Sequence, residues 1–130
     1  MKFHPAELFI IYDSSSTFCR QTLAYAYTLT KHVQSHDVQK VRFTTTLWRE
    51  ILGRLGLSAK DLLNRAHEDY QRRIAGGSYH DEDWLNILMR NPHLIKYPIA
   101  IKADRAILCK SPTDILKLTQ YQPSPERVLV

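Results

Sequence analysis

Leu8-Phe9-Ile10-Ile11-Tyr12 is a continuous apolar run. Its length and composition suit a short strand buried on both faces. Asp13-Ser14-Ser15-Ser16 ends it with turn-forming residues. Ser16 or Thr17 can cap the helix that follows, because a hydroxyl accepts a free N–H of the first turn. Leu23, Ala26, Tyr27, Leu29 and Val33 then recur at three- and four-residue steps, which predicts a helix running to about His36. Val38 to Phe43 reads as a second strand, with Val41 and Phe43 pointing one way.

Thr44-Thr45-Thr46 can cap the next helix, which carries Leu47, Ile51, Leu52 and Leu55 and stops at Gly56. Ser58 caps a shorter one, with Leu62 and Leu63 on its buried side. His67 to Gly77 is polar and basic and ends in Gly76-Gly77, which reads as a loop. Asp81-Glu82-Asp83 places acid where a helix dipole favours it, and Trp84, Leu85, Ile87, Leu88 and Met89 supply the apolar side. Asn91-Pro92 breaks that helix. Pro98-Ile99-Ala100-Ile101 and Arg105-Ala106-Ile107-Leu108-Cys109 flank Lys102-Ala103-Asp104, a hairpin signature. Ser111-Pro112 opens a last helix with Ile115, Leu116 and Leu118 inward. The order is strand, helix, strand, helices, hairpin, helix. A helix joining the first two strands makes them parallel neighbours. One α/β domain over 1–130 is expected, with its core at about 7–119, a helical insert near 44–90 and a loose tail over 120–130.

Composition narrows the function without naming it. The chain has 130 residues and 44% apolar content, enough for a packed core. No apolar run approaches the ~20 residues of a membrane span, and the start of the chain lacks a signal-peptide pattern. A cytoplasmic protein with no membrane partner is the expectation. Eighteen Lys and Arg against 13 Asp and Glu give a net charge of +5. The charge is scattered, Arg72-Arg73 being the tightest pair, which argues against direct nucleic-acid binding. Cys19 and Cys109 form no disulfide framework, and the six histidines show no ligand spacing, so no metal site is expected.

The second half of the chain carries a specific resemblance. Arg90-Asn91-Pro92-His93-Leu94-Ile95-Lys96-Tyr97-Pro98-Ile99-Ala100-Ile101 resembles the hallmark of the glutaredoxin-coupled arsenate reductases and the related Spx regulators of bacteria. Ile107-Leu108-Cys109-Lys110-Ser111-Pro112 and Ile115-Leu116-Lys117-Leu118 are similar to the closing strand and helix of that family. At the front, Ile11-Tyr12 and Cys19-Arg20 resemble the Spx form, Cys-x-x-Cys-Arg. The match runs over about 7–119. It implies a thioredoxin/glutaredoxin-like mixed four-stranded sheet with a helical insert, and a cis bond before Pro98.

A thiol site in such a fold needs a thiolate at a helix N-terminus and a second thiol to resolve the mixed disulfide. In the arsenate reductases, arginines also grip the oxyanion through paired hydrogen bonds. The resemblance places the nucleophilic cysteine of the family on Ser16. The loop Ser14, Ser15, Ser16, Thr17 is one residue short, so Thr17 competes for that place, with Arg20 following. A hydroxyl is barely ionised at neutral pH and forms no disulfide. The arginine before the family's proline falls on Tyr97, next to Lys96 and ahead of Pro98. Its arginine at the end of the final strand falls on Lys110, and one in the middle helix falls near Asn64, beside Arg65. Lysine keeps charge but loses the two-pronged geometry.

What remains is Cys19, in the first turn of its helix beside Arg20. Two functions of different class follow. One is a non-catalytic, regulatory member that binds a protein partner, with transcription machinery suggested by the Spx likeness. In it the serine loop, Tyr97, Lys96, Lys110 and the Arg65/Arg72/Arg73 region form the recognition surface. The other is a monothiol oxidoreductase in which Cys19 exchanges with glutathione as co-substrate, or with a redox protein. A small anion or thiol held at the helix start without turnover is a third. No resident cofactor is expected in any of these.

Overall fold

A computed structural model of the chain describes residues 6–119. Its elements are β1 (Leu8–Tyr12), α1 (Thr17–Leu29), β2 (Val33–Asp37), α2 (Thr45–Leu55), α3 (Ala59–Leu62), α4 (Glu68–Arg73), α5 (Asp81–Arg90), β3 (Ile99–Lys102), β4 (Arg105–Leu108) and α6 (Leu116–Thr119). Short 3-10 turns precede β3 at Pro92–Leu94 and α6 at Pro112–Ile115. The sheet has the order β2-β1-β3-β4. β1 pairs with β2 in parallel, Tyr12 opposite Asp37, and with β3 in antiparallel, Ile10 opposite Ala100. β3 and β4 close the expected hairpin.

β1 is apolar throughout because both of its faces are covered. Phe9 and Ile11 join Ile99 and Ile101 in a core shared with Leu47, Trp48 and Ile51 of α2, Leu62 of α3 and Leu85 and Leu88 of α5. Leu8 and Ile10 point the other way, with Ala100, to meet Ala26 of α1, Ile115 and Leu118. Period-two alternation thus divides the helices between the faces. The insert α2 to α5 covers one, and α1 with α6 covers the other.

Two expectations are corrected. The first helix ends at Leu29, not near His36, and the second strand is Val33–Asp37, not Val38 to Phe43. β-branched Thr28 and Thr30 disfavour helix at that point, and Thr30 caps the end with its N–H on the Ala26 carbonyl. β2 is an edge strand, so it pairs on one side only and tolerates the polar sequence Val-Gln-Ser-His-Asp. Val38 instead begins a turn in which Lys40 and Val41 donate N–H groups to the Asp37 carbonyl. The polar segment before the Gly76-Gly77 loop forms a helix, α4, capped by His67 Nδ1 on the Asp69 N–H at 3.0 Å. The caps expected at Ser16, Thr44 and Ser58 and the left-handed Gly56 (φ 69°) are observed, as is the cis bond between Tyr97 and Pro98. The expected loose tail over 120–130 lies outside the described residues. Among those described, no helix is long and apolar enough to cross a membrane.

Candidate functional site

The serine loop leaves β1 at Tyr12, beside the end of β2, and this register brings two carboxylates to it. Asp37 Oδ1 accepts the N–H groups of Ser14 (3.1 Å) and Gln39 (3.0 Å). Asp13 Oδ1 accepts the Ser15 N–H (2.9 Å), the Ser15 hydroxyl (2.7 Å) and the Gln39 side-chain amide (3.0 Å). The Ser16 N–H then closes onto the Asp13 carbonyl at 3.0 Å. The loop is held by hydrogen bonds at almost every residue.

Its hydroxyls are used structurally. Ser16 Oγ accepts the Cys19 N–H at 3.2 Å and caps α1. Arg20 lays its guanidinium back over the loop, donating to the Ser14 carbonyl at 2.7 Å and to Thr17 Oγ1 at 3.1 Å. Among the described residues, no histidine hydrogen-bonds to a loop hydroxyl. A serine nucleophile needs such a base.

Two carboxylates stand at the start of α1, with the Arg20 guanidinium over the loop. Burial raises the Asp37 carboxyl, but hydrogen bonds from Ser14 and Gln39, with Lys40 nearby, outweigh it and hold the group below its ordinary value. Burial raises Asp13 too, and the bonds from Ser15 and Gln39 overcome it. Both groups are therefore ionised at neutral pH. A site shaped for an oxyanion puts cations here, whereas this one puts two carboxylates beside the helix dipole.

Cys19 sits beneath the loop, 1% exposed. Burial is the main cause that pushes its thiol up, and the Asp13 and Asp37 charges add to it. The Asp13 backbone and the Ser16 hydroxyl pull the other way without prevailing. The thiol is thus kept protonated, the reverse of what a nucleophilic cysteine needs. Cys109, 3% exposed, packs with Leu8, Ile10 and Ala26, and burial pushes its thiol up to about 12. Both cysteines are free.

Tyr97 completes the group. Its ring joins the core beneath the insert, and its hydroxyl is buried without a hydrogen bond to protein. Burial, then Asp13 and Cys19, raise the phenol, while Arg42 lowers it. Tyr97 therefore lies within electrostatic reach of the loop, of Cys19 and of Arg42. Beside it is a void of about 20 Å³, bordered by Arg42, Phe43 and Trp48 among others. That is room for about one water, not a substrate.

The remaining predicted residues gather elsewhere or not at all. Asn64 donates its N–H to the Leu94 carbonyl (2.7 Å), and Lys96 donates its own to Leu62 (2.8 Å). These bonds fasten the end of α3 to the segment leading into Pro98. Arg65 pairs with Asp61 at 3.4 Å, and Lys96 also acts on Asp61. Asn64 spends its side-chain oxygen on the Ala66 N–H. Lys110 is exposed, its N–H on Asp114 at 2.7 Å. No hydrogen bond or ion pair among the described residues ties its ammonium to either cluster. Pro98 is buried, and its carbonyl accepts the Cys109 N–H at 3.0 Å.

The sequence reading missed Asp13, Asp37, Gln39 and Arg42. Asp13 had a local signal, being an Asp that opens a serine turn. The other three depend on where β2 lies, and the misplaced strand hid them.

The ArsC family model matches residues 12–118. Among solved structures, an arsenate reductase from Vibrio cholerae superposes with a TM-score of 0.79 at 19% identity, covering 88% of this chain and 99% of that one. A Yersinia pestis protein provisionally described as an arsenate reductase gives 0.79 at 21%, covering 85% and 99%. At such identity the likeness carries the fold, which is the thioredoxin-like arrangement expected from the sequence. No curated protein matches. Since one family model spans nearly all the described residues, the chain belongs to the ArsC family.

Proposed function

We propose that this chain is a non-catalytic member of its family that works by binding a protein partner. The observation that carries the reading is the state of Cys19, which is enclosed under the loop with its thiol pushed up by burial and flanked by two carboxylates. Three further features support it. Ser16, at the place where the family keeps its nucleophile, is occupied as a helix cap. Of the predicted cations Arg20 meets the loop, where it is spent on the Ser14 carbonyl and Thr17, while Arg65 and Lys96 gather at Asp61. Cys19 lines neither the small void beside Tyr97 nor the hollow of about 330 Å³ that Ser14 and Arg20 border on the outer side of the loop.

The recognition surface of this reading is the loop with the exposed Lys96 and the Arg65/Arg72/Arg73 region. These charges are dispersed and mostly paired with Asp61, Glu68 and Asp69, which suits a protein surface better than a phosphate backbone. The Spx resemblance makes transcription machinery one class of partner to test, in a cytoplasmic setting.

Intact-protein mass spectrometry after exposure to oxidised glutathione is the test. The reading expects no adduct on the folded protein and rapid modification of both thiols after denaturation. A fast native adduct on Cys19, lost in Cys19→Ser, would overturn it in favour of a monothiol reductase with glutathione as co-substrate. Pull-down from the native host then addresses the partner, and recovery of none counts against the binding role.

A further inference from the structure

Between α2, α3 and α5 the insert holds a cavity of about 350 Å³. It shares no residue with the serine loop, and its size falls in the range of small-ligand pockets, about 300–1,000 Å³. Leu52, Ala59 and Leu85 give it apolar walls, and the partly exposed ring of Trp84 adds an aromatic one. Tyr70 and Tyr79 back that ring at 6.5 and 4.8 Å between centroids, which fixes its orientation.

One occupant of the aromatic wall is already present. Lys60, an exposed residue of α3, holds its ammonium 5.2 Å from the centre of the Trp84 ring. That distance is a cation–π contact. The charge around the cavity favours a cation as well. Asp81 and Glu82 line it and, with Asp83, form the densest acidic run in a chain whose net charge is +5. Arg49, the second basic group in the lining, is drawn onto Glu82 at 2.6 Å. An anion here would face two carboxylates and would have to break that ion pair.

We infer that this cavity binds an ammonium group carried on an apolar stem, and that Lys60 holds the ammonium's place in the empty site. The incoming cation displaces Lys60 from Trp84, Asp81 supplies the countercharge beside the Arg49–Glu82 pair, and the stem lies along Leu52, Ala59 and Leu85. A free alkylamine and a lysine side chain of a partner offer this same chemistry.

The two sources and the sign of the charge are separable on the full chain. Trp48 is 3% exposed and packed edge-on against Phe43, so a ligand-dependent change in tryptophan emission reports Trp84. Hexylammonium, Nα-acetyl-lysine methylamide and hexanoate serve as probes, with calorimetry for affinity. Saturable binding of hexylammonium but not hexanoate is expected. Binding of the lysine probe as well assigns the site to a partner's side chain, and its failure assigns it to a free amine. Lys60→Gln removes the internal competitor and should tighten the ammonium probe roughly 3- to 10-fold, while Asp81→Asn should weaken it. Both changes are on exposed positions and spare the core. The proposal is overturned if hexanoate saturates the site, if Lys60→Gln weakens the ammonium probe, or if neither cation binds.

Discussion

Ser16 Oγ accepts the backbone N–H of Cys19 at 3.2 Å, so this hydroxyl is committed to the helix it precedes. The bond satisfies one of the free N–H groups of α1. Ser16→Ala should therefore lower stability by about 1 kcal/mol, measured by urea denaturation. Ser16→Asp, which keeps an acceptor, should recover most of the loss even beside Asp13 and Asp37. An alanine variant as stable as the parent would free the hydroxyl for another role.

Acid should weaken this protein in two stages. His36 stacks on Phe9 at 4.4 Å, and burial holds its imidazole below its ordinary 6.5. The unfolded chain then takes up a proton more readily than the folded one. The contribution of His36 is full above 6.5 and is lost as pH falls through its lowered folded-state value. Asp13 and Asp37 are also held low, against an ordinary 3.8, so their contribution is lost further down, as pH falls through the carboxylate range. His36→Phe keeps the stack and should remove the first stage only. Thermal unfolding from about pH 8 to about pH 3 checks both, and a first stage that survives the substitution would assign it to another group.

The legible parts of the chain are those whose sequence answers a local demand. β1 shows in its apolar run because both faces are covered, and the hairpin shows in two short strands around a polar turn. Caps at Ser16, Thr44, Ser58 and Gly56 show because each satisfies its own helix end. β2 was illegible because its partner is β1, far from it in sequence, and an edge strand needs little apolar surface. Only Val33 marks it. The helix α4 buries just Tyr70 and left no apolar period. Its acidic first turn, Glu68-Asp69, and basic last turn, Arg72-Arg73, were the missed signal. In the site, Cys19 was placed correctly on the helix, but its surroundings were not. Asp37 and Gln39 come from the end of β2 and the turn after it, so the negative field around the thiol depended on the strand that was misplaced.

Two glycines should respond to alanine with opposite signs. A Cβ on Gly77 would strike the ring of Tyr79. That ring donates its hydroxyl to the Ile74 carbonyl at 3.2 Å and meets Trp84 edge-on at 4.8 Å. Moving it away forfeits both contacts, so Gly77→Ala should cost about 1–2 kcal/mol. Gly53 lies inside α2, and a methyl group added there would meet nothing within 4 Å. At that position alanine only gains helix propensity, up to about 1 kcal/mol. Denaturation midpoints of the two variants, falling on either side of the parent, are the check.

Tyr97, like His36 at its buried Nε2, has a polar atom and an apolar body in conflict. Its ring packs in the main core, while its hydroxyl is buried with no hydrogen bond to protein. Folding strips water from that hydroxyl, and an unmatched one costs about 1–3 kcal/mol. Tyr97→Phe keeps the ring and removes the cost, so stability should rise, by about 1 kcal/mol once the surroundings relax. The same variant tests whether the hydroxyl serves the binding role, since a partner that needs it would bind phenylalanine more weakly even as the fold becomes more stable. A fall in stability would instead mean that the hydroxyl is bonded through a water in the small void beside Arg42, and would make Tyr97 part of a polar network rather than a plug.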